Sequence, residues 1–237
     1  MKILVVSPKN KTVFNFRGDL IKDMIAKGNE VYVTGPNKEF VEDIMAIGVK
    51  DFIEVPLVKD NTSISGDLAY LEKLKEVMKK VQPELVFEYT IKPVIYGSIA
   101  AKSCGVKKIY PMVTGLGRVY ASESLKNKVV RKIIKTLYQI AFKGCNKVIF
   151  QNPDDVQEFV EGHYLPENKC VVVNGSGVNM NRFYRSDIPK KPVFLMVSRI
   201  IKEKGVLDFA QAAREVKKKV PEARFIVLGG YDMSIGA

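Results

Sequence analysis

The sequence predicts a doubly wound parallel α/β sheet that leads into the opening of a second, smaller Rossmann-like domain. Two observations predict it. Short β-branched apolar runs recur along the 237 residues, and longer segments with helical spacing fill most of the gaps between them. The runs are apolar almost throughout and do not alternate with polar residues, as expected of strands covered on both faces.

In chain order, strands are predicted at residues 2–6, 30–34, 52–55, 85–88, 108–113, 147–151, 170–173, 193–197 and 224–228. Helices are predicted at 13–27, 39–47, 68–81, 93–104, 125–145, 154–161 and 206–220. The first run, Lys2-Ile3-Leu4-Val5-Val6, stops being apolar at Ser7, which makes it a strand and not a signal peptide. Residues 174–179 and 186–192 carry turn chemistry with no periodic pattern. A domain boundary is placed near 175–192, dividing residues 1–180 from 181–237. Only β-α-β follows it, and such a unit cannot bury both faces of its sheet alone.

The apolar fraction of 46% excludes a disordered chain. No apolar run approaches the roughly 18–20 residues that span a bilayer. Cys104, Cys145 and Cys170 are isolated, without a Cys-x-x-Cys pair, so no metal site, zinc included, and no disulfide framework is expected. The lone histidine, His163, has no acid or metal partner near it in sequence and reads as a surface residue. A cytosolic protein is expected. The net charge of +12 implies an acidic partner: nucleic acid, an anionic membrane surface or phosphorylated small molecules.

In an open α/β sheet, ligands bind outside the carboxyl ends of the strands. The loop after the first strand lacks both Gly-x-Gly-x-x-Gly and a Gly-Lys-Ser/Thr phosphate loop. It does place Lys9, Lys11 and Arg17 beside a helix start, where an anion is favoured. Tyr89-Thr90-Ile91-Lys92-Pro93 follows the fourth strand, and Thr114-Gly115-Leu116-Gly117-Arg118 the fifth. Glycines in such a loop let backbone approach a ligand, although a bare turn would look the same. Ser198-Arg199 through Lys204-Gly205 presents two cations at a helix start, a site suited to a diphosphate.

The helix predicted at 125–145 collects Val130, Ile133, Ile134, Leu137, Ile140 and Ala141 on one face. Lys128, Arg131, Lys132, Lys135 and Lys143 fall opposite. A cationic face on an amphipathic helix suits an anionic leaflet; solvated lysines over a core-packed helix are the alternative.

Taken together, these loops resemble glycosyltransferase family 4, the retaining sugar-nucleotide transferases of GT-B fold. The resemblance rests on Asn15-Phe16-Arg17-Gly18-Asp19-Leu20-Ile21, Tyr89 through Ser98, Val113-Thr114-Gly115-Leu116-Gly117 and Phe150-Gln151-Asn152-Pro153-Asp154-Asp155. It continues through Asn174-Gly175-Ser176-Gly177-Val178-Asn179 and the Arg199 to Lys204 loop. Order and spacing carry it more than any single motif. It points to a bacterial subgroup that extends undecaprenyl-diphosphate-linked sugars with UDP-sugars, often N-acetylhexosamines, in capsule, O-antigen or other glycan assembly.

The resemblance implies an N-terminal acceptor-binding domain over residues 1–180 and an incomplete donor-binding domain over 181–237. It implies that Arg199, Lys204, Gly18 and Arg17 meet the donor diphosphate, and that Lys92, Thr114 and Gly115 line the acceptor side. Lys128, Arg131, Lys132 and Lys135 would meet the inner face of the cell membrane. No cofactor is expected beyond the UDP-sugar donor, and no nucleic acid. No catalytic base is nominated, Asp19 and Glu88 included. The family's Glu-x7-Glu element has no counterpart after Leu228, so the chain is expected to be an inactive fragment. The alternative is a non-catalytic half-transferase that binds membranes or lipid diphosphates. A UDP-sugar 2-epimerase of the same superfamily fits the loops less well.

Overall fold

A computed structural model describes residues 1–57, 63–115 and 125–230. It divides into two compact units, Met1–Asn179 and Met180–Ala237.

The first unit is a seven-stranded, fully parallel sheet. Its strands are β1 (Lys2–Val6), β2 (Glu30–Gly35), β3 (Asp51–Glu54), β4 (Leu85–Tyr89), β5 (Lys108–Val113), β6 (Val148–Phe150) and β7 (Cys170–Val172). Their order is β3-β2-β1-β4-β5-β6-β7, so the doubly wound α/β sheet expected from sequence is present. Winding starts at β1 and reverses between β1 and β4, which pair from Ile3↔Leu85 to Val6↔Glu88. That switch point opens a crevice at the carboxyl edge.

Each face of the sheet is covered. On one, Ile3, Val5, Val31, Val33 and Phe87 pack with Val13, Ile21 and Ile44. These come from the helical turns α1 (Asn10–Thr12), α2 (Gly18–Ala26) and α3 (Val41–Met45), with a π-helical stretch, Val13–Arg17, joining the first two. On the other face, Leu4, Val6, Val86, Ile109 and Val148 meet α4 (Ile64–Val81), α5 (Ser98–Ser103), α6 (Leu125–Phe142) and α7 (Pro153–Glu161). Here too a π-helical stretch, Pro93–Gly97, opens the helix after its strand. Both π stretches lie at the carboxyl edge, and π-helical turns occur often at functional sites.

The elements depart from the expected bounds for local reasons. The helix expected at 68–81 starts four residues earlier because Ser63 caps it, its hydroxyl accepting from Gly66 N. In α6 the buried stripe is rotated. Tyr138, Ala141 and Phe142 are buried, with Ile134 and Leu137 packed beside them, whereas Val129, Ile133 and Ile140 are exposed. The expected apolar face is therefore only partly a core face. The aromatic rings decide this: Tyr138 and Phe142 stack at 5.1 Å, and both meet Phe159 of α7.

Asn10, buried beneath β2, donates from Nδ2 to the carbonyls of Asn37 (2.7 Å) and Glu39 (2.6 Å), holding the loop that leaves β2. A Cβ on Gly35 would overlap Asn10 Oδ1 and crowd the Phe52 ring. Gly35→Ala is therefore expected to cost about 1–3 kcal/mol, as overpacking does. Chemical denaturation would read this as a lower midpoint at unchanged slope.

The second unit, as described, comprises β8 (Val193–Val197), a 3-10 turn at Lys202–Lys204, α8 (Val206–Lys219) and β9 (Arg224–Leu228). The two strands pair in parallel from Val193↔Arg224 to Val197↔Leu228. Phe194 stacks on Phe225 at 4.7 Å, and Phe209 of α8 meets Phe225 edge-on.

Candidate active site at the carboxyl edge

Tyr89, the last residue of β4, spans the switch point. Its hydroxyl donates to Ser7 Oγ, just past β1, at 2.7 Å, and lies 3.0 Å from Thr12 Oγ1. Burial raises the Tyr89 phenol, and these hydrogen bonds and Arg17 oppose the rise. Thr90, the next residue, has φ +70°, costly for a β-branched side chain; its N–H donates to Met112 O of β5 at 3.3 Å. The segments after β1 and β4 are thus tied to each other and to the end of β5, where a crevice ligand would sit.

Arg17 lies beneath them, at the end of the first π stretch. It is 4% exposed, and its guanidinium stands 4.9 Å over the Tyr89 ring. One terminal nitrogen donates to Phe16 O (3.0 Å) and Ser176 Oγ (2.6 Å), the other to Met112 Sδ (3.2 Å). Its Nε is buried without a partner among the described residues. None of these partners is an anion. Desolvation lowers its pKa, against a smaller raising effect of Tyr89. Ser176 also accepts from Gln151 Nε2 at 3.1 Å, which ties in β6. The turn that carries it is flanked by Gly175 (φ +75°) and Gly177 (φ +69°), both conformations that favour glycine.

The remaining expected residues fall as follows. Gly18 is buried at the start of α2. A Cβ there would make only ordinary contacts, the nearest 3.7 Å from Ile47 Cδ1, so packing does not demand glycine. Asp19 beside it accepts from Asn179 Nδ2 at 3.3 Å. Thr114 is exposed just past β5, and Gly115 has φ +132°. Gly117 lies outside the described residues. Lys92 Nζ is ion-paired with Asp67 at 2.7 Å, and Tyr96 donates to the same carboxylate at 2.8 Å. Arg199 and Lys204 are exposed in the loop from β8 to α8, in the second unit. That loop is closely supported: a Cβ on Gly229 would overlap the Ser198 carbonyl, and Ile200 N donates to Gly230 O at 3.0 Å.

Glu88 points the other way. It is fully buried on the face covered by α4 to α7, where Ser98 Oγ donates to its Oε1 at 2.5 Å. Desolvation pushes its pKa up to about 8, against the lowering effect of Ser98. It cannot reach a crevice ligand.

On α6, Lys128 and Lys132 are exposed. Arg131 and Lys135 are half-buried, and Lys135 Nζ stands 5.7 Å over the Tyr164 ring. Among the described residues no group of three His, Cys, Asp or Glu is placed to hold a metal ion, and no helix is long and apolar enough to cross a membrane.

Sequence reading placed Tyr89 in an edge loop and quoted Gln151 and Ser176 within motifs, but gave none of these, nor Ser7, a role at the site.

The sheet order and the second β-α-β unit fit one class: an α/β protein of GT-B type. Solved structures agree on the fold. A glycosyltransferase from Rickettsia africae superposes with a TM-score of 0.63 at 18% identity, over 96% of this chain and 68% of that one. An Anabaena protein in complex with UDP and glucose gives 0.70 at 15%, over 99% and 62%. A UDP-GlcNAc 2-epimerase from Neisseria meningitidis gives 0.62 at 14%, over 96% and 65%.

Residues 2–152 match the glycosyl transferase 4-like family model, and the chain belongs to that family. It is similar to the Campylobacter jejuni N,N'-diacetylbacillosaminyl-diphospho-undecaprenol alpha-1,3-N-acetylgalactosaminyltransferase, at 29% identity over 248 residues. That match covers 98% of this chain and 64% of that protein. It is also similar to an Escherichia coli UDP-Gal:alpha-D-GlcNAc-diphosphoundecaprenol alpha-1,3-galactosyltransferase. Identity there is 28% over 214 residues, covering 84% of this chain and 53% of that protein. The chain thus spans just under two thirds of the first relative and about half of the second.

Proposed function

We propose that the protein transfers a sugar, an N-acetylhexosamine or a hexose, from UDP to a lipid-diphosphate-linked sugar with retention at the anomeric carbon. The first unit would hold the acceptor, and the second would begin the donor site. The reaction would take place at the cytoplasmic face of the membrane, during assembly of a bacterial polysaccharide or glycan such as capsule or O-antigen. The relatives' named acceptors support a lipid diphosphate. The observation that carries the reading is Arg17, a buried cation at the sheet's switch point with no anionic partner among the described residues. A buried charge is costly unless an anion meets it, and a diphosphate is the anion this chemistry supplies.

In this reading Arg17, beside Gly18, faces a phosphate, and Ser176 Oγ stands where a phosphate oxygen would sit. Arg199 and Lys204 take the charge that develops as UDP departs, and preorganised cations there lower the barrier. Thr114, Gly115 and Lys92 line the acceptor side, Lys92 held in place by Asp67.

The test is UDP release by the protein, given UDP-GalNAc, UDP-Gal or UDP-GlcNAc and a synthetic prenyl-diphosphate-linked GlcNAc. Release that needs the acceptor supports the reading, and Arg199→Ala should then slow turnover about tenfold. Saturable acceptor binding without release would assign the chain to the non-catalytic alternative. Neither binding nor release would overturn both.

A further inference from the structure

The single histidine of the chain, His163, holds a backbone conformation that usually belongs to glycine. Helix α7 ends in a Schellman turn. His163 N donates to Val160 O and Tyr164 N to Phe159 O, both at 2.9 Å, and His163 has φ +54°. The Tyr164 ring meets that of Phe159 at 4.5 Å, the apolar contact that accompanies such a turn. Glycine is the common residue at the left-handed position, and a side chain there is strained. Strain retained in a fold points to a use for the side chain that bears it.

His163 stands on the rim of a cleft of about 770 Å³ between the last turns of α6 and α7. Both helices run back between parallel strands, so the cleft lies at the amino edge of the sheet, away from the crevice. Its floor is apolar, built from the buried Phe142, Tyr164 and Leu165. Its rim carries His163 and Lys143, both exposed, and the half-buried Lys169, and among the described residues no carboxylate lines it. Two helix carboxyl ends would by themselves repel an anion. Here their carbonyls are occupied. Lys169 Nζ donates to Phe142 O at 2.9 Å, Gln139 Nε2 donates to His163 O at 2.8 Å, and the Schellman turn closes α7. Positive charge therefore prevails in the cleft.

We propose that this cleft binds a phosphate ester carried on an uncharged ring system, of the size of a nucleoside monophosphate. The phosphate lies among Lys143, Lys169 and His163, and the ring system lies over the apolar floor. An ammonium has three donors; Lys169 directs two of them at Phe142 O and, at 3.5 Å, Lys143 O, and the third is left for the ligand. Several cationic donors around one point suit a multiply charged phosphate better than a single carboxylate. The volume falls within the roughly 300–1,000 Å³ of small-molecule sites, which combine an apolar lining with a few polar groups. The site is separate from the crevice and does not rest on the transferase reading.

Amide NMR of the isotope-labelled protein, titrated with AMP, tests the proposal. The signals of Lys143, His163, Tyr164 and Lys169 should move together and saturate. Inorganic phosphate and adenosine, each offered alone, should bind at least about tenfold more weakly, because each meets only one part of the cleft. Lys143→Glu, at an exposed position and thus with an unchanged melting temperature, should weaken AMP at least about tenfold. His163→Gly should also weaken AMP, while its melting temperature stays equal or rises, because glycine relieves the turn. A gain in melting temperature with AMP binding intact would make His163 a helix terminator alone and overturn the proposal. So would inorganic phosphate binding as tightly as AMP, which would mean an adventitious ion only. Shifts confined to residues 7–18 at the carboxyl edge would overturn it as well. None of these results bears on the UDP-release experiment.

Discussion

Replacing Glu88 by glutamine is expected to leave stability at pH 5 nearly unchanged and to raise it strongly above pH 8. The carboxyl is fully buried beside Ser98 and Gly97, with Oε1 bonded and Oε2 without a partner among the described residues. Desolvation holds its folded-state pKa at about 8, against an ordinary 4.5. The folded protein therefore keeps the proton more tightly than the unfolded chain. Below the unfolded value both states hold it, and stability is independent of this group. Between 4.5 and about 8 the unfolded chain loses its proton while the fold retains it, so stability falls as pH rises. Above about 8 both are ionised and the loss is complete. At 1.36 kcal/mol per unit, the full loss is on the order of 3–5 kcal/mol. Glutamine keeps the shape and the bond to Ser98 but has no proton to lose. Melting temperatures of the two proteins from pH 5 to 9 should diverge progressively as the wild type weakens. Parallel curves would mean that Glu88 titrates near its ordinary value and that water reaches it.

Much of the fold was legible because parallel strands read as continuous apolar runs, buried in Ile3-Leu4-Val5-Val6 and largely exposed in Val193 to Val197. Helix positions were less so. A cap such as Ser63 acts through one hydroxyl, and the π stretches at Val13–Arg17 and Pro93–Gly97 carry no periodicity of their own. The buried face of α6 was misjudged for a different reason. Aliphatic periodicity favoured Ile133 and Ile140, but aromatic packing against Phe159 and Tyr164 outweighed it. The residues at the carboxyl edge were legible as loops and not as a network. Tyr89 meets Ser7 across 82 positions, and Arg17 meets Ser176 across 159. No local pattern encodes such pairs. Nor does sequence show that one arginine of a basic loop is buried while Lys9 and Lys11 beside it are exposed.

Arg17→Met should separate the two roles open to that side chain. As a staple, the guanidinium joins Phe16, Met112 and Ser176 and covers Tyr89. As an anion site, it is a cation held in readiness at a cost in stability. Methionine fills much of the same volume and removes the charge. An apolar replacement for a buried charge is often neutral or stabilising. The melting temperature of Arg17→Met is therefore expected to equal or exceed that of the wild type, even though three hydrogen bonds are gone. Affinity for inorganic pyrophosphate should fall at least about a hundredfold, a loss near 2.8 kcal/mol at 1.4 kcal/mol per tenfold. Arg17→Lys should recover only part of it, because an ammonium cannot offer the planar pair of donors. The opposite pattern, a loss of several kcal/mol in stability with pyrophosphate binding intact, would make Arg17 a staple alone. The diphosphate would then rest on Arg199 and Lys204, and the crevice at the switch point would lose the buried cation that marks it as the site. A native protein retains an uncompensated buried charge when function requires it, so rising stability together with falling affinity is the result that ties this arginine to the reaction.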